Sequence, residues 1–331
     1  MTTQPRSTPD HLASLHRQLH AAVRAAALAW IWVFAVTCVF VGTLVASGPA
    51  HAGQERWDKL ATPLFQHLGL DQGLPHPVGM ALAQDGDGYI WIGTQSGLAR
   101  WDGYQVRSFS HNAALSTSLP GDFIQTLHVD HAGRLWVGSA AAGLALYDKR
   151  KEHFVRPHEE LSRGAINAIA SDSKGNLWVG TPAALKFYDA AAGTVSSYTH
   201  ENSPGLPDNQ IRALLFDRTG NLWIGTGKGL ARLRPGGAIA TVPVVTGAEG
   251  QWQDAVLALA ENRQGQIGFA THKSGVGMAD PQRDSARLLA LTGVRDMDAH
   301  MVLALAEIAP QRWWATTYGG GIVEYHTDGS R

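Results

Sequence analysis

Cysteine is nearly absent from this chain of 331 residues. The one copy, Cys38, lies in an apolar N-terminal run, so the remainder can form neither a disulfide nor a thiolate site. An excess of either charge is absent as well. Lys and Arg number 27 against 28 Asp and Glu, the formal net charge is −1, and no stretch concentrates the basic residues. The electrostatic footprint of a nucleic-acid binder is therefore missing. Histidine is plentiful, with 15 copies, but the repeat region holds no H-x-x-x-H pair. His67, His76, His111, His128, His131, His153 and His158 are scattered and read as loop or strand-edge residues, so no metal site is expected. No cofactor is expected either, since a quinone-dependent propeller would call for vicinal cysteines.

Long apolar runs are also scarce; residues 25–46 (AAALAWIWVFAVTCVFVGTLVA) are the exception. Arg6, Arg17 and Arg24 precede this run, Ser47, Gly48 and Pro49 follow it, and Ala50-His51-Ala52 supplies an A-x-A cleavage signature. Residues 1–52 are read as a signal peptide cleaved after Ala52 or as an uncleaved signal anchor, with cleavage favoured. Both readings export residues 53–331, because the positive flank stays inside.

What the chain has in abundance is glycine, 37 copies, arranged in a repeated phrase. DGDGYIWIGTQSGL starts at Asp85, DHAGRLWVGSAAAG at Asp130, DSKGNLWVGTPAAL at Asp172 and DRTGNLWIGTGKGL at Asp217. Two worn copies follow, NRQGQIGFATHKSG from Asn262 and EIAPQRWWATTYGG from Glu307. On the tryptophan slot (Trp91, Trp136, Trp178, Trp223, Gly268, Trp313) the copies lie 45, 42, 45, 45 and 45 residues apart. A strand-rich unit at that period is a β-propeller blade, so the fold class is all-β, with blades of four strands. In the second copy DFIQTLHV alternates, DHAG turns, RLWVGS returns, LALYD runs outward and HFVRP adds a fourth strand. Asp opens the turn and Gly three residues on accepts positive φ. The tryptophan is expected to wedge neighbouring blades apart from solvent, and the small residue and hydroxyl after it (Gly93-Thr94 through Ala315-Thr316) to admit the next blade and tie the following turn.

The sixth copy stops after its third strand, near Tyr325, while residues 63–67 (PLFQH) read as a stray fourth strand. Either six blades close or the propeller is part of a seven-bladed or larger array that continues past Arg331; the second reading is favoured. Asp85-Gly86-Asp87-Gly88 could open a calcium loop, but no Glu follows at the bidentate position and the frame is that of the blade turn.

These phrases resemble the two-component regulator propeller repeat, whose usual form is close to D-x-x-G-x-[LI]-W-[VI]-G-T-x-x-G-L. The likeness extends over residues 60–326, is strongest in the first four copies, and weakens where Gly268 replaces the tryptophan and Pro310 the turn glycine. It implies the periplasmic sensor region of a bacterial inner-membrane signalling protein, with a histidine kinase or diguanylate cyclase as the effector; no kinase phosphoacceptor or GGDEF-type motif occurs before Arg331. No catalytic residue is expected here.

Alternatives are a secreted carbohydrate-active enzyme, because D-x-x-G-x-x-W is also close to the Asp-box of sialidase-type propellers, and a protein-interaction propeller that could form a homodimer. Ligands of propellers gather at the channel mouth, where the second-to-third-strand loops meet the blade-to-blade connections. That places Gln95, Lys228, His272, Lys273 and Tyr318 on short loops and Asp208, Asn209 and Gln210 on a long one. The ligand expected there is an anionic or polyhydroxylated small molecule, such as an oligosaccharide.

Overall fold

A computed structural model describes residues 67–246, 252–289 and 301–327. The signal or anchor segment 1–52 and most of the 63–67 strand candidate lie outside the described residues. From Leu68 onward the chain is one compact unit built from antiparallel meanders. Blades one to four span 79–109, 124–155, 168–198 and 211–242, each four strands in sequence order. Blade five, 256–288, gains a fifth strand when Val244–Val245 pairs parallel with Ala286–Leu288. Blade six shows three strands among the described residues, Val302–Ala309, Arg312–Thr317 and Gly321–His326.

The first strands of successive blades pack side by side around one axis, in chain order from blade one to blade six. The first four junctions use the same pair of residues. The glycine two places after the tryptophan receives the β-branched residue that opens the next blade: a Cβ on Gly93 would lie 2.7 Å from Ile124, on Gly138 2.8 Å from Ile166, on Gly180 2.7 Å from Ile211 and on Gly225 2.8 Å from Val256. No side chain fits those positions at the observed spacing.

Among the described residues, blade six does not pack on blade one as neighbouring blades pack on each other. The outer face of blade one is correspondingly bare. Leu82 is 72% exposed, whereas its counterpart one blade later, Leu127, packs against the cluster around Trp91.

The turn aspartate does more than shape its own loop. Asp85 Oδ1 accepts the amides of Asp87 and Tyr89 while Oδ2 accepts the Trp91 indole N–H at 2.8 Å; Asp130 with Trp136 and Asp217 with Trp223 repeat this at 2.8 Å. One carboxylate thus fixes both the turn and the orientation of the wedge. The hydroxyl expectation also holds at Thr94, Thr181, Thr226 and Thr271, each donating to the carbonyl that ends its turn at 2.8–2.9 Å.

Blade six departs from the phrase. Its first turn is the two residues Pro310 and Gln311, with Gln311 at φ 64°, so Ala309 pairs with Arg312. The strand consequently runs one residue out of frame. Trp314, not Trp313, occupies the ladder position of Trp136, and Thr317, not Thr316, donates to the Gly321 carbonyl at 3.1 Å. Because neighbouring side chains on a strand point to opposite faces, Trp313 turns back toward blade five and buries itself beside Leu305 and Ala270.

Candidate functional site

At the end of the channel opposite the D-x-x-G turns, the loops are held by side-chain carboxylates and carboxamides rather than left free. Asp254 accepts the amides of Lys273 and Ser274 and the Ser274 hydroxyl, which fixes the loop carrying His272 and Lys273. Asp122 accepts the His111 amide at 2.6 Å, and Asn209 in the equivalent place accepts that of His200 at 2.6 Å. The Asn209 amide group donates to Glu201. Asn209 is therefore a loop anchor. Gln95, Lys228, His272, Lys273 and Tyr318 project as exposed side chains on four separate blades.

Blade four brings the polar groups closest together. Asp208 and Gln210 lie against the loop of Lys228, where a Cβ on Gly227 would come within 2.3 Å of the Asp208 carboxylate and 3.0 Å of the Gln210 carboxamide. Gln210 Oε1 accepts a hydrogen bond from Arg212 Nη2 at 2.9 Å. The Arg212 Nε–H is buried without an acceptor, and no carboxylate pairs with this guanidinium among the described residues. Arg212 is a candidate site residue that the repeated phrase conceals. The equivalent positions on the other first strands are Met80, Gln125, Asn167, Leu257 and Leu303, so this channel position is polar on blades two to four and apolar elsewhere. Gln125 donates to Asn167 at 3.2 Å, and Asn167 donates to the Ile211 carbonyl at 2.8 Å, extending the polar line to Arg212.

The pattern of the two component regulator propeller matches residues 73–96, 118–141, 160–183 and 205–228. Each match runs from the approach to a first strand, through the aspartate turn, to the hydroxyl loop. This chain carries two component regulator propeller repeats. No curated protein matches this propeller chain. Among solved structures, it resembles the extracellular domain of BT4673 from B. thetaiotaomicron, described as a hybrid two component system (TM-score 0.63, 21% identity, 77% of this chain and 32% of that one). It also resembles PorZ, a surface component of the type-IX secretion system of Porphyromonas gingivalis (TM-score 0.56, 17% identity, 75% and 38%). Virginiamycin B lyase from Staphylococcus aureus shares the architecture (TM-score 0.54, 12% identity, 76% and 85%). At these identities the likeness is one of fold, and the propeller spans about a third of the BT4673 domain.

His128 is a titratable group inside the blade packing. His128, on the first strand of blade two, places Nε2 2.8 Å from the Ser171 hydroxyl of blade three. Burial pushes its pKa down to about 4, against an opposing pull from Asp130. A histidine depressed in the folded state is protonated first in the unfolded chain, so stability drains away as pH falls from 6.5 toward 4. Urea midpoints should fall between pH 7 and pH 5, and His128→Gln should flatten that slope; an equal slope in the variant would discard the assignment.

Proposed function

We propose that this propeller is the non-catalytic, extracytoplasmic ligand-sensing part of a bacterial transmembrane signalling protein, and that its channel mouth takes an anionic small molecule, acidic oligosaccharides included. Arg212 carries the ligand class. A guanidinium is charged at every physiological pH and presents a planar fork that suits two oxygens of one anion. Here one N–H of that fork is buried and unanswered, and burying a donor without a partner is costly unless something supplies the acceptor. Lys228, on the adjoining loop, adds positive charge at the rim.

The carboxylates near the mouth support a binding role over a hydrolytic one. Asp122 and Asp254 are occupied as acceptors of backbone amides, and Asp208 accepts the Asn209 amide at 3.0 Å. General acid–base cleavage of a glycoside wants two free carboxyl groups facing each other across the bond. The repeat family supports the signalling context, and the charge-free run 25–46 with its basic flank supports export.

The test is thermal unfolding of the full chain with digalacturonate and trigalacturonate, with the neutral galactose oligomers as controls. An acidic oligomer should raise the midpoint, the neutral ones should not, and Arg212→Gln should abolish the rise. No rise with either acidic oligomer, stabilisation that survives Arg212→Gln, or conversion of the oligomer to product during incubation, would overturn the proposal.

A further inference from the structure

The gap between blades three and four is not filled as the gap between blades one and two is. In the earlier junction Trp91 and Phe109 of blade one meet Tyr147 and Phe154 of blade two, with ring centroids 4.9 Å apart for Trp91 and Tyr147 and 5.3 Å for Tyr147 and Phe154. Blade three offers the matching wall, Trp178 and Tyr198, with Phe187 packed at 4.8 Å from the indole. Blade four answers it with smaller side chains. The strand pair Leu233 and Ile239 stands where Tyr147 and Phe154 pair in blade two. Two aromatic rings are missing from the junction, and a cleft of about 1020 Å3 opens there, lined by Trp178, Phe187, Tyr198, Leu233 and Ile239.

A second observation makes this cleft a site rather than a packing defect. Trp178 is the wedge tryptophan of its blade and only 8% exposed, yet its N–H does not reach the turn aspartate as those of Trp91, Trp136 and Trp223 do. Asp172 Oδ2 accepts from Asn176 instead, and no residue among those described accepts from the Trp178 indole. An indole donor with no protein partner among the described residues, accessible to solvent on an otherwise buried ring, borders the cleft.

We infer that the cleft between blades three and four binds a flat aromatic compound carrying a carbonyl oxygen, the ring lying between the aromatic wall and Leu233 and Ile239 while the oxygen accepts the Trp178 N–H. The walls decide the class. A polyhydroxylated ligand would have to leave hydroxyl groups unsatisfied against the apolar sides, which costs more than the contact returns. A ring with one acceptor matches one donor and two apolar faces. The charged groups at the edge do not demand a charged ligand. Asp172 and Asp217 are saturated by their own turns, Arg218 is held by Glu261, Arg234 by Asp284, and Lys174 is solvent-exposed. This site stands apart from Arg212 and does not depend on the proposal for the mouth.

The probe is coumarin, measured by equilibrium dialysis against the full chain. Saturable binding at one site is expected, and Trp178→Phe, which keeps the ring but removes the donor, should weaken it about tenfold. A variant that rebuilds the earlier junction, Leu233→Tyr with Ile239→Phe, should abolish binding while its unfolding midpoint stays at or above that of the wild type. Arg212→Gln should leave coumarin binding unchanged. Absence of saturable binding by the wild type, undiminished binding by the rebuilt variant in its folded state, or displacement of coumarin by maltotriose would each overturn the inference.

Discussion

Trp223→Ala is expected to remove about 3–5 kcal/mol of stability, the range for truncating a fully buried tryptophan. Trp223 is 0% exposed and packs into a cluster that spans two blades, with Leu230 and Val242 from blade four and Val256, Ile267 and Phe269 from blade five. Its loss would open a cavity at a junction that cannot collapse, because Gly225 already brings the two blades to backbone contact with Val256. The Arg232 guanidinium lies 5.2 Å from the ring centroid and bonds across to the carbonyls of Pro281 and Arg283, so one tryptophan supports several cross-blade contacts. Trp223→Phe separates the parts: it retains most of the packing and loses the hydrogen bond to Asp217, for about 1.5–3 kcal/mol as befits a bond to a charged acceptor. Urea denaturation of both variants beside Tyr104→Ala, a 95% exposed aromatic expected to matter little, reads the difference. If Trp223→Ala shifted the midpoint no further than Tyr104→Ala, the wedge role would be wrong.

The repeat made the architecture readable because each of its positions answers to one local force. Asp and Gly specify the turn, Trp the junction, Gly the close approach and Thr the next corner, and the structure uses them so in blades one and four. Candidate site residues were less legible for the opposite reason. Asn209 looked like a free mouth residue, but its carboxamide is consumed in holding His200 and Glu201, a contact between loop positions nine residues apart that no periodicity signals. Arg212 is hidden inside the strand IRALLF, one residue after the recurring junction position, where alternation alone reads as scaffold. Across the six first strands it is the cation in a position otherwise held by Met80, Gln125, Asn167, Leu257 and Leu303. The cleft beside Trp178 is likewise written in the sequence as Leu233 and Ile239 against Tyr147 and Phe154, but only once strand pairing shows that these positions are equivalent.

Restoring the phrase where it is broken should do harm. Gly268→Trp returns the missing wedge to blade five, and a reading by consensus would have it stabilise the propeller. The two-residue turn at Pro310 and Gln311 makes the opposite outcome the expected one. By moving the blade six strand one residue out of frame, it sends Trp313 into the blade five junction from the far side. A Cβ on Gly268 would already lie 2.6 Å from Leu305 and 2.9 Å from the Trp313 ring, before any indole is added. Overpacking of this kind costs at least about 3 kcal/mol, the upper end of the usual range. Trp313→Ala alone should also destabilise, by about 3–5 kcal/mol, since it empties the same space. Together the two changes compete for one volume, so the double variant should be more stable than the sum of the single losses by at least about 2 kcal/mol, a coupling expected only of side chains in contact. A stabilising Gly268→Trp, or strictly additive losses, would mean that the two indoles do not share a junction. The wedge is thus a property of the gap between blades, and either neighbour can supply it.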